Sequence, residues 1–361
     1  MGLERESRRG TRTTMARITL ICPTHTRFSL ADWGTAALGG IETTTIELAR
    51  ALTARGHRLV VATRQEAGPI EVDGVLNVPL ADAGRHPADL FVSSNDPGPL
   101  GAAPAGARRV LWLHNPLALE KAVRRRYIGA LVRLRPDAVF VGTVARAAMS
   151  RLYPFASRTV IPHGVSDIFR QAAPTDGSSR RFVWASQRQR GLEPTLDAWK
   201  RNGELRAARA ELHVYGTAAS EVGWTPEEAR AAGVVFHPRQ DQAGLAAAYS
   251  GARAMIYPGA HDETFCLAAA EAQAMGLPVV TLGIGSLSER VQHGVNGLVA
   301  NSYGELLALS AHLARDDSLW RLLHAGAGHQ RDLLTWDRSA RLWEAFLLGG
   351  SRDDAEDERK P

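Results

Sequence analysis

Two glycines, Gly39 and Gly40, stand between a short β-rich run and an apolar helical repeat, and this junction restricts the fold more than any other stretch of the chain. Ala16 to Cys22 is rich in strand formers. Ile41, Thr45, Leu48, Ala49 and Leu52 then recur at helical spacing up to Gly56, and Leu59 to Thr63 is a second strand candidate. Strand, glycine loop, helix and strand in that order fit a parallel sheet with a crossover helix. Further strands are expected at Leu90 to Ser93, Val110 to His114, Ala138 to Gly142 and Thr159 to Ile161. The first half therefore reads as α/β and doubly wound.

Around Ser166 to Ser179 the sequence turns to Pro, Gly, Ser and Asp with little periodicity, as in a linker. Alternation then restarts, with strands expected at Phe182 to Ala185, Leu212 to Gly216, Val234 to His237, Ala254 to Pro258, Pro278 to Leu282 and Gly297 to Val299. The expected organisation is a leader over 1–15, an α/β domain over 16–165, a linker over 166–179, a second α/β domain over 180–330, a helix over 331–349 and a tail over 350–361. Two such domains place a ligand in the cleft between the carboxyl ends of their strands.

Composition excludes several classes. Cys22 and Cys266 are the only cysteines, too few for a disulfide framework and suited to a reducing, cytoplasmic setting. The longest apolar stretch, Phe265 to Leu282, is broken by Glu271, Gln273, Gly276 and Pro278, so no membrane span is expected. The net charge of +5 rests on arginine, with Lys121, Lys200 and Lys360 the only lysines. That bias fits a bacterial genome and needs no polyanionic partner. No DNA- or RNA-reading motif appears, so nucleic acid is not an expected partner. Lys121 to Arg135 interleaves five arginines with Val123, Tyr127, Ile128, Leu131, Val132 and Leu134. It has two readings: an ordinary surface helix, or a face for peripheral contact with anionic membrane. Nothing in the sequence marks an oligomeric state.

Three stretches carry chemistry. Glycines directly before a helix let backbone N–H groups approach an anion, and the helix end adds about half a positive charge, although a bare pair is also an ordinary turn. Between His261 and Val280, Glu263 and Glu271 stand eight residues apart, one before an alanine-rich helix and one within it. On a helix that separation is about 12 Å, the span from the hexose to the ribose of a nucleotide sugar. Each carboxylate can accept hydrogen bonds from a vicinal diol, but a capping and an exposed glutamate would give the same spacing. The 12 histidines are scattered without ligand spacing, so no metal and no cofactor is expected.

The chain resembles the retaining glycosyltransferases of family 4, which have the GT-B fold. The resemblance runs from Arg17 to about Leu348. It is carried by GGIETTTIELARALTARGHRLVVAT, by VIPHGVSDIF at the domain junction, and by ETFCLAAAEAQAMGLPVV followed by GSLSERVQHGVNGLVA. It implies two Rossmann-like domains facing each other across a cleft, the first on the acceptor side and the second holding a nucleotide sugar. It also implies that the helix from Thr335 to Leu348 returns to the first domain.

The resemblance further implies that Glu263 contacts the donor sugar, that Glu271 holds the ribose, and that Gly39, Gly40 and Ile41 face the diphosphate. The helix start between the glutamates, Thr264, Phe265, Cys266 and Leu267, would also line the donor. His114 matches a histidine near the sugar, and a locally bonded strand-end histidine is the other reading. Family members present an Arg and, five residues later, a Lys; here Ala185 holds the first position and Arg190 the second, with Arg188 as a substitute source of charge. Cys266 stands where Gly is usual, and His163 where Asn is usual. The segment Ser286 to Val299, with Glu289, matches a loop that closes over the nucleotide. The Pro23 to Leu38 loop, with His25, Arg27 and Trp33, is expected on the acceptor side.

The expected function is thus transfer of a sugar, with retention and without a metal, from a nucleoside diphosphate to a small-molecule, lipid-linked or glycan acceptor. The alternative is a silent or repurposed protein of the same fold, such as a nucleotide-sugar epimerase or an interaction protein.

Overall fold

The computed structural model describes residues 15–34, 36 and 38–349; the expected tail over 350–361 and residues 1–14 of the expected leader lie outside them. The first sheet contains β1 (Arg17–Cys22), β2 (Arg58–Thr63), β3 (Ile70–Val72), β4 (Val75–Pro79), β5 (Leu90–Ser94), β6 (Arg108–Leu113), β7 (Asp137–Phe140) and β8 (Arg158–Val160). Their order is β3-β4-β2-β1-β5-β6-β7-β8, parallel except for the β3–β4 hairpin. All five residues of β5 and five of the six in β1 are buried, as layers on both faces of a parallel sheet require.

The second sheet contains β9 (Arg181–Trp184), β10 (Glu211–Tyr215), β11 (Val234–His237), β12 (Ala254–Ile256), β13 (Val279–Thr281) and β14 (Gly297–Val299), in the order β11-β10-β9-β12-β13-β14. In both sheets the chain builds outward to one side and then crosses back past its first strand. The crossing points fall at β1/β5 and β9/β12. Loops leaving the carboxyl ends there diverge and leave a crevice, which is where an open α/β sheet binds its ligand.

The 166–179 stretch is more ordered than its composition suggests. Ser166 caps a short helix, Asp167–Gln171, whose Phe169 is fully buried and stacks on Tyr249 at 5.9 Å. The last helix, Trp336–Leu347, lies against the first helix, Gly40–Ala54. Arg55 grips Glu344 through two hydrogen bonds of 2.8 and 2.7 Å, His57 Nε2 lies 3.0 Å from the same carboxylate, and Trp343 meets Trp112 edge-on at 5.5 Å. One buried apolar cluster runs from β1 and β6 through Trp112, Trp343 and Trp336 into the second sheet.

Polar contacts also cross between the sheets. The Thr264 hydroxyl donates to the His114 carbonyl, and Arg239 Nη2 donates to the Leu38 carbonyl at 2.8 Å. Glu289 reaches the other domain, where its carboxylate accepts the N–H of Thr143 at 3.1 Å and of Val144 at 3.3 Å at the start of the helix Thr143–Ala147. The carboxylate is therefore committed to this interdomain contact and does not line the cavity between the two sheets.

Candidate active site

Between the carboxyl ends of the two sheets lies a cavity of about 450 Å³. Two helix N-termini open onto it. From the first domain, Gly39 caps the first helix with extended backbone and has the Glu42 carboxylate where a Cβ would stand, whereas Gly40 has nothing within 4 Å there and is the open face of this helix start toward the cavity. From the second, Cys266 precedes the helix Leu267–Ala274 with φ +58°, left-handed backbone for which a glycine is the easier residue. Burial pushes the Cys266 thiol up to about 11, so it stays protonated and unreactive at neutral pH.

A polar cluster sits beside the second helix start. Arg190, on a single 3-10 turn after β9, pairs with Glu263 from the loop after β12. Tyr257 donates to the same carboxylate and receives hydrogen bonds from Ser186 Oγ at 3.2 Å and Arg190 Nη1 at 3.3 Å. Gly191 ends that turn with φ +101°, and a Cβ there would stand 2.7 Å from the Tyr303 hydroxyl, so glycine fixes how Arg190 enters the cavity. Burial holds the Tyr257 phenol well above its usual range, so it remains a hydrogen-bond donor.

Glu271 also lines the cavity. Burial, reinforced by the Glu47 carboxylate of the first helix, pushes its carboxyl up to about 8. Burial raises Glu47 as well, against a hydrogen bond from Ser166 and the charge of Arg50.

The cavity thus brings together Trp33, Gly39, Gly40, Arg190, Glu263, Cys266, Leu267 and Glu271 from the sequence-based candidates. Seven others fall elsewhere. Arg188 turns away, its guanidinium donating to the Glu221 carbonyl 33 residues on and standing 3.9 Å from Glu193. Arg27 pairs with Glu66 on the surface, and His25 is exposed outside the cavity lining. Ile41 packs its side chain on the core and gives its carbonyl to the hydroxyls of Thr44 and Thr45 at 3.1 and 2.8 Å.

His114, Thr264 and Phe265 lie in the interdomain seam rather than on the cavity wall. The His114 ring packs on Trp112 at 4.2 Å and stacks on His163 at 5.1 Å, and Phe265 meets His163 at 4.9 Å. Burial lowers the His114 imidazole to about 3, so it is neutral at physiological pH. Sequence reasoning missed Tyr257, Tyr215 and Arg239, which line the cavity from the ends of β12, β10 and β11. Tyr215 carries its ring stacked on His237 at 4.5 Å. A residue at the carboxyl end of a predicted parallel strand, or just past it, is the signal that could have found them.

Among the described residues no group of three or more His, Cys, Asp or Glu is placed to hold a metal ion, and no helix is long and apolar enough to cross a membrane.

Comparison with known proteins agrees with this architecture. The chain has the GT-B fold of glycosyltransferases. It superposes on sucrose-phosphate synthase from Thermosynechococcus elongatus with a TM-score of 0.71 and 17% identity, covering 93% of this chain and 100% of that one. Anabaena HepE in complex with UDP-glucose gives a TM-score of 0.67 at 14% identity, with 93% and 100% covered. More narrowly, residues 180–316, most of the second domain, match the family model described as Glycosyl transferases group 1. A D-inositol 3-phosphate glycosyltransferase from Actinosynnema mirum is 34% identical over 173 residues, which is 45% of this chain and 40% of that protein. The match therefore spans well under half of that relative's length. The resemblance to GT-B glycosyltransferases noted in the sequence is borne out.

Proposed function

We propose that this chain is a retaining glycosyltransferase that moves a sugar from a nucleoside diphosphate to an acceptor hydroxyl. The observation that carries the proposal is the meeting, in one interdomain cavity, of two helix N-termini and the Arg190–Glu263–Tyr257 cluster. Positive helix ends and a guanidinium are what a departing diphosphate needs. Glu263 faces the same space and accepts hydroxyls of the donor sugar, while Glu271 takes those of the ribose.

Reaction breaks the bond between the anomeric carbon and the β-phosphate oxygen. The acceptor oxygen bonds to that carbon on the same face, and its proton passes to the β-phosphate oxygen, so configuration is retained and no protein base is required. Arg190 and the helix ends supply the positive charge, so transfer proceeds without a metal. His114 enters this scheme only as a neutral ring that shapes the seam behind the sugar.

The acceptor side is the first domain, with Trp33 at the cavity wall. Exposed Leu119, Val123 and Val132 among exposed Arg124, Arg125, Arg126 and Arg133, on the helices Leu119–Arg124 and Tyr127–Leu134 and the turn between them, support a cytoplasmic enzyme that rests on anionic lipid. Co-sedimentation with phosphatidylglycerol vesicles at low salt, lost at high salt, is the expected result.

UDP-glucose, the ligand of one structural neighbour, is the first donor to test, followed by GDP-, dTDP- and ADP-glucose. Incubation without acceptor should release the nucleoside diphosphate by slow hydrolysis, and Arg190→Ala should stop it. Binding without release, with epimerised sugar recovered, would replace transfer by epimerisation.

A further inference from the structure

The diphosphate proposed above carries at least two negative charges, yet Arg190 is already opposed by Glu263. That pair has no net charge. Arg188, the other arginine on the same turn, faces Glu221 and Glu193 instead of the cavity. Among the described residues lining the cavity, the second basic side chain is Arg239, just past β11. Its guanidinium is exposed; among the described residues it has no carboxylate within ion-pair distance, and its one hydrogen bond goes to a neutral group, the Leu38 carbonyl, at 2.8 Å. Leu38 directly precedes Gly39 and Gly40, so this charge is parked at the open start of the first helix.

We propose that Arg239 supplies the second cation for the donor's diphosphate, an inference that rests on the nucleotide-sugar reading of the cavity. A guanidinium has five N–H donors, and a carbonyl occupies one of them. The others are free to clamp phosphate oxygens, which guanidinium geometry suits. Because Arg239 belongs to the second domain and Leu38 to the first, the same side chain ties the diphosphate to the glycine loop across the cleft. The second cation that Arg188 does not provide thus arrives from the end of β11, two strands along the sheet from β9.

The test is titration of the native protein, Arg239→Ala and Arg239→Lys with UDP, GDP, dTDP and ADP by calorimetry. The matching nucleosides are followed by ligand-observed NMR, which reads millimolar binding. Arg239 is exposed, so the unliganded unfolding midpoint of both variants should equal the native one. The best-bound diphosphate should weaken roughly ten- to hundredfold in Arg239→Ala, the loss expected for a hydrogen bond to a charged group. Arg239→Lys should fall between, and nucleoside binding should stay within about twofold. Unchanged diphosphate affinity in Arg239→Ala would overturn the proposal and leave the glycosyltransferase reading intact. Equal weakening of nucleoside and diphosphate would move Arg239 to the base and also overturn it. Failure of the native protein to bind any of the four would overturn both readings.

Discussion

Glu289 of the second domain caps a helix of the first, accepting the N–H of Thr143 at 3.1 Å and of Val144 at 3.3 Å. The first-turn N–H groups of a helix have no partner within the helix, so a carboxylate there satisfies them and meets the positive end of its dipole. Here the cap comes from another domain, so it acts as a latch. Glu289→Ala should destabilise the chain by about 1 kcal/mol, the usual value of a cap. It should also loosen the seam, and small-angle scattering should show a larger radius of gyration for the variant. An unchanged radius would mean that the apolar seam alone keeps the domains together.

Glu271 links pH to nucleotide binding. A buried carboxyl pushed up to about 8 is largely protonated at pH 7, whereas ribose hydroxyls are best accepted by the ionised form. Nucleoside diphosphate affinity should therefore rise between pH 7 and 9, a window above the terminal phosphate's own titration, and Glu271→Gln should flatten the rise. Stability runs the other way. The folded carboxyl titrates above the unfolded one, so its contribution is complete below about 4.5 and fades as pH climbs to about 8. Melting curves from pH 5 to 8 should fall less steeply for Glu271→Gln than for the native protein.

The Arg190–Glu263 pair separates charge from structure. Arg190→Ala removes the cation and leaves Glu263 largely buried beside Tyr257, so sugar-nucleotide cleavage should drop by about two to three orders of magnitude. Arg190→Lys should recover part of the rate, because a point charge cannot hold both Tyr257 and a phosphate as a guanidinium does. Initial rates of nucleotide release from the best donor decide this.

Glu344 anchors the last helix to the first domain through Arg55 and His57. Burial raises its carboxyl, but hydrogen bonds from Arg55 and His57 outweigh burial and leave it below its ordinary value. A lowered carboxyl contributes stability above its unfolded value, near 4.5, and loses it as pH falls through the folded one. Glu344→Gln should lower the midpoint by several degrees at pH 7 and should be less sensitive than the native protein to acid between pH 5 and 3. Parallel acid profiles would assign the anchoring to Trp343, which packs edge-on against Trp112 and against Phe346 of its own helix.

Most of the fold was legible because parallel strands buried on both faces are short, nearly continuous apolar runs: Leu90–Ser94 and Val279–Thr281, buried at every residue, lie within a residue of where their sequence placed them. The hairpin of β3 and β4 escaped because Ile70–Val72 is too short to show a period. Its turn, Asp73-Gly74, with φ of +53° and +76°, was the readable signal. In the cavity, Glu263 and Glu271 were recognisable because they share one local stretch. Arg188 was expected to add charge beside Arg190, and it does not, since two arginines on one 3-10 turn differ in which side of it they leave. Arg239 meets a carbonyl 201 residues away, and Glu289 an amide 146 residues away. Such pairings depend on how two domains sit together, and no local pattern encodes that.

The central claim is that the interdomain cavity holds a nucleoside diphosphate, and thermal unfolding with UDP, GDP, dTDP and ADP tests it most directly. A ligand that binds only the folded chain raises the midpoint with the logarithm of its concentration over its dissociation constant. One of the four should raise the midpoint of the native protein by several degrees at about 100 times its dissociation constant, and Glu271→Ala should lose most of that shift. Flat curves with all four, or a shift that survives intact in Glu271→Ala, would contradict the assignment.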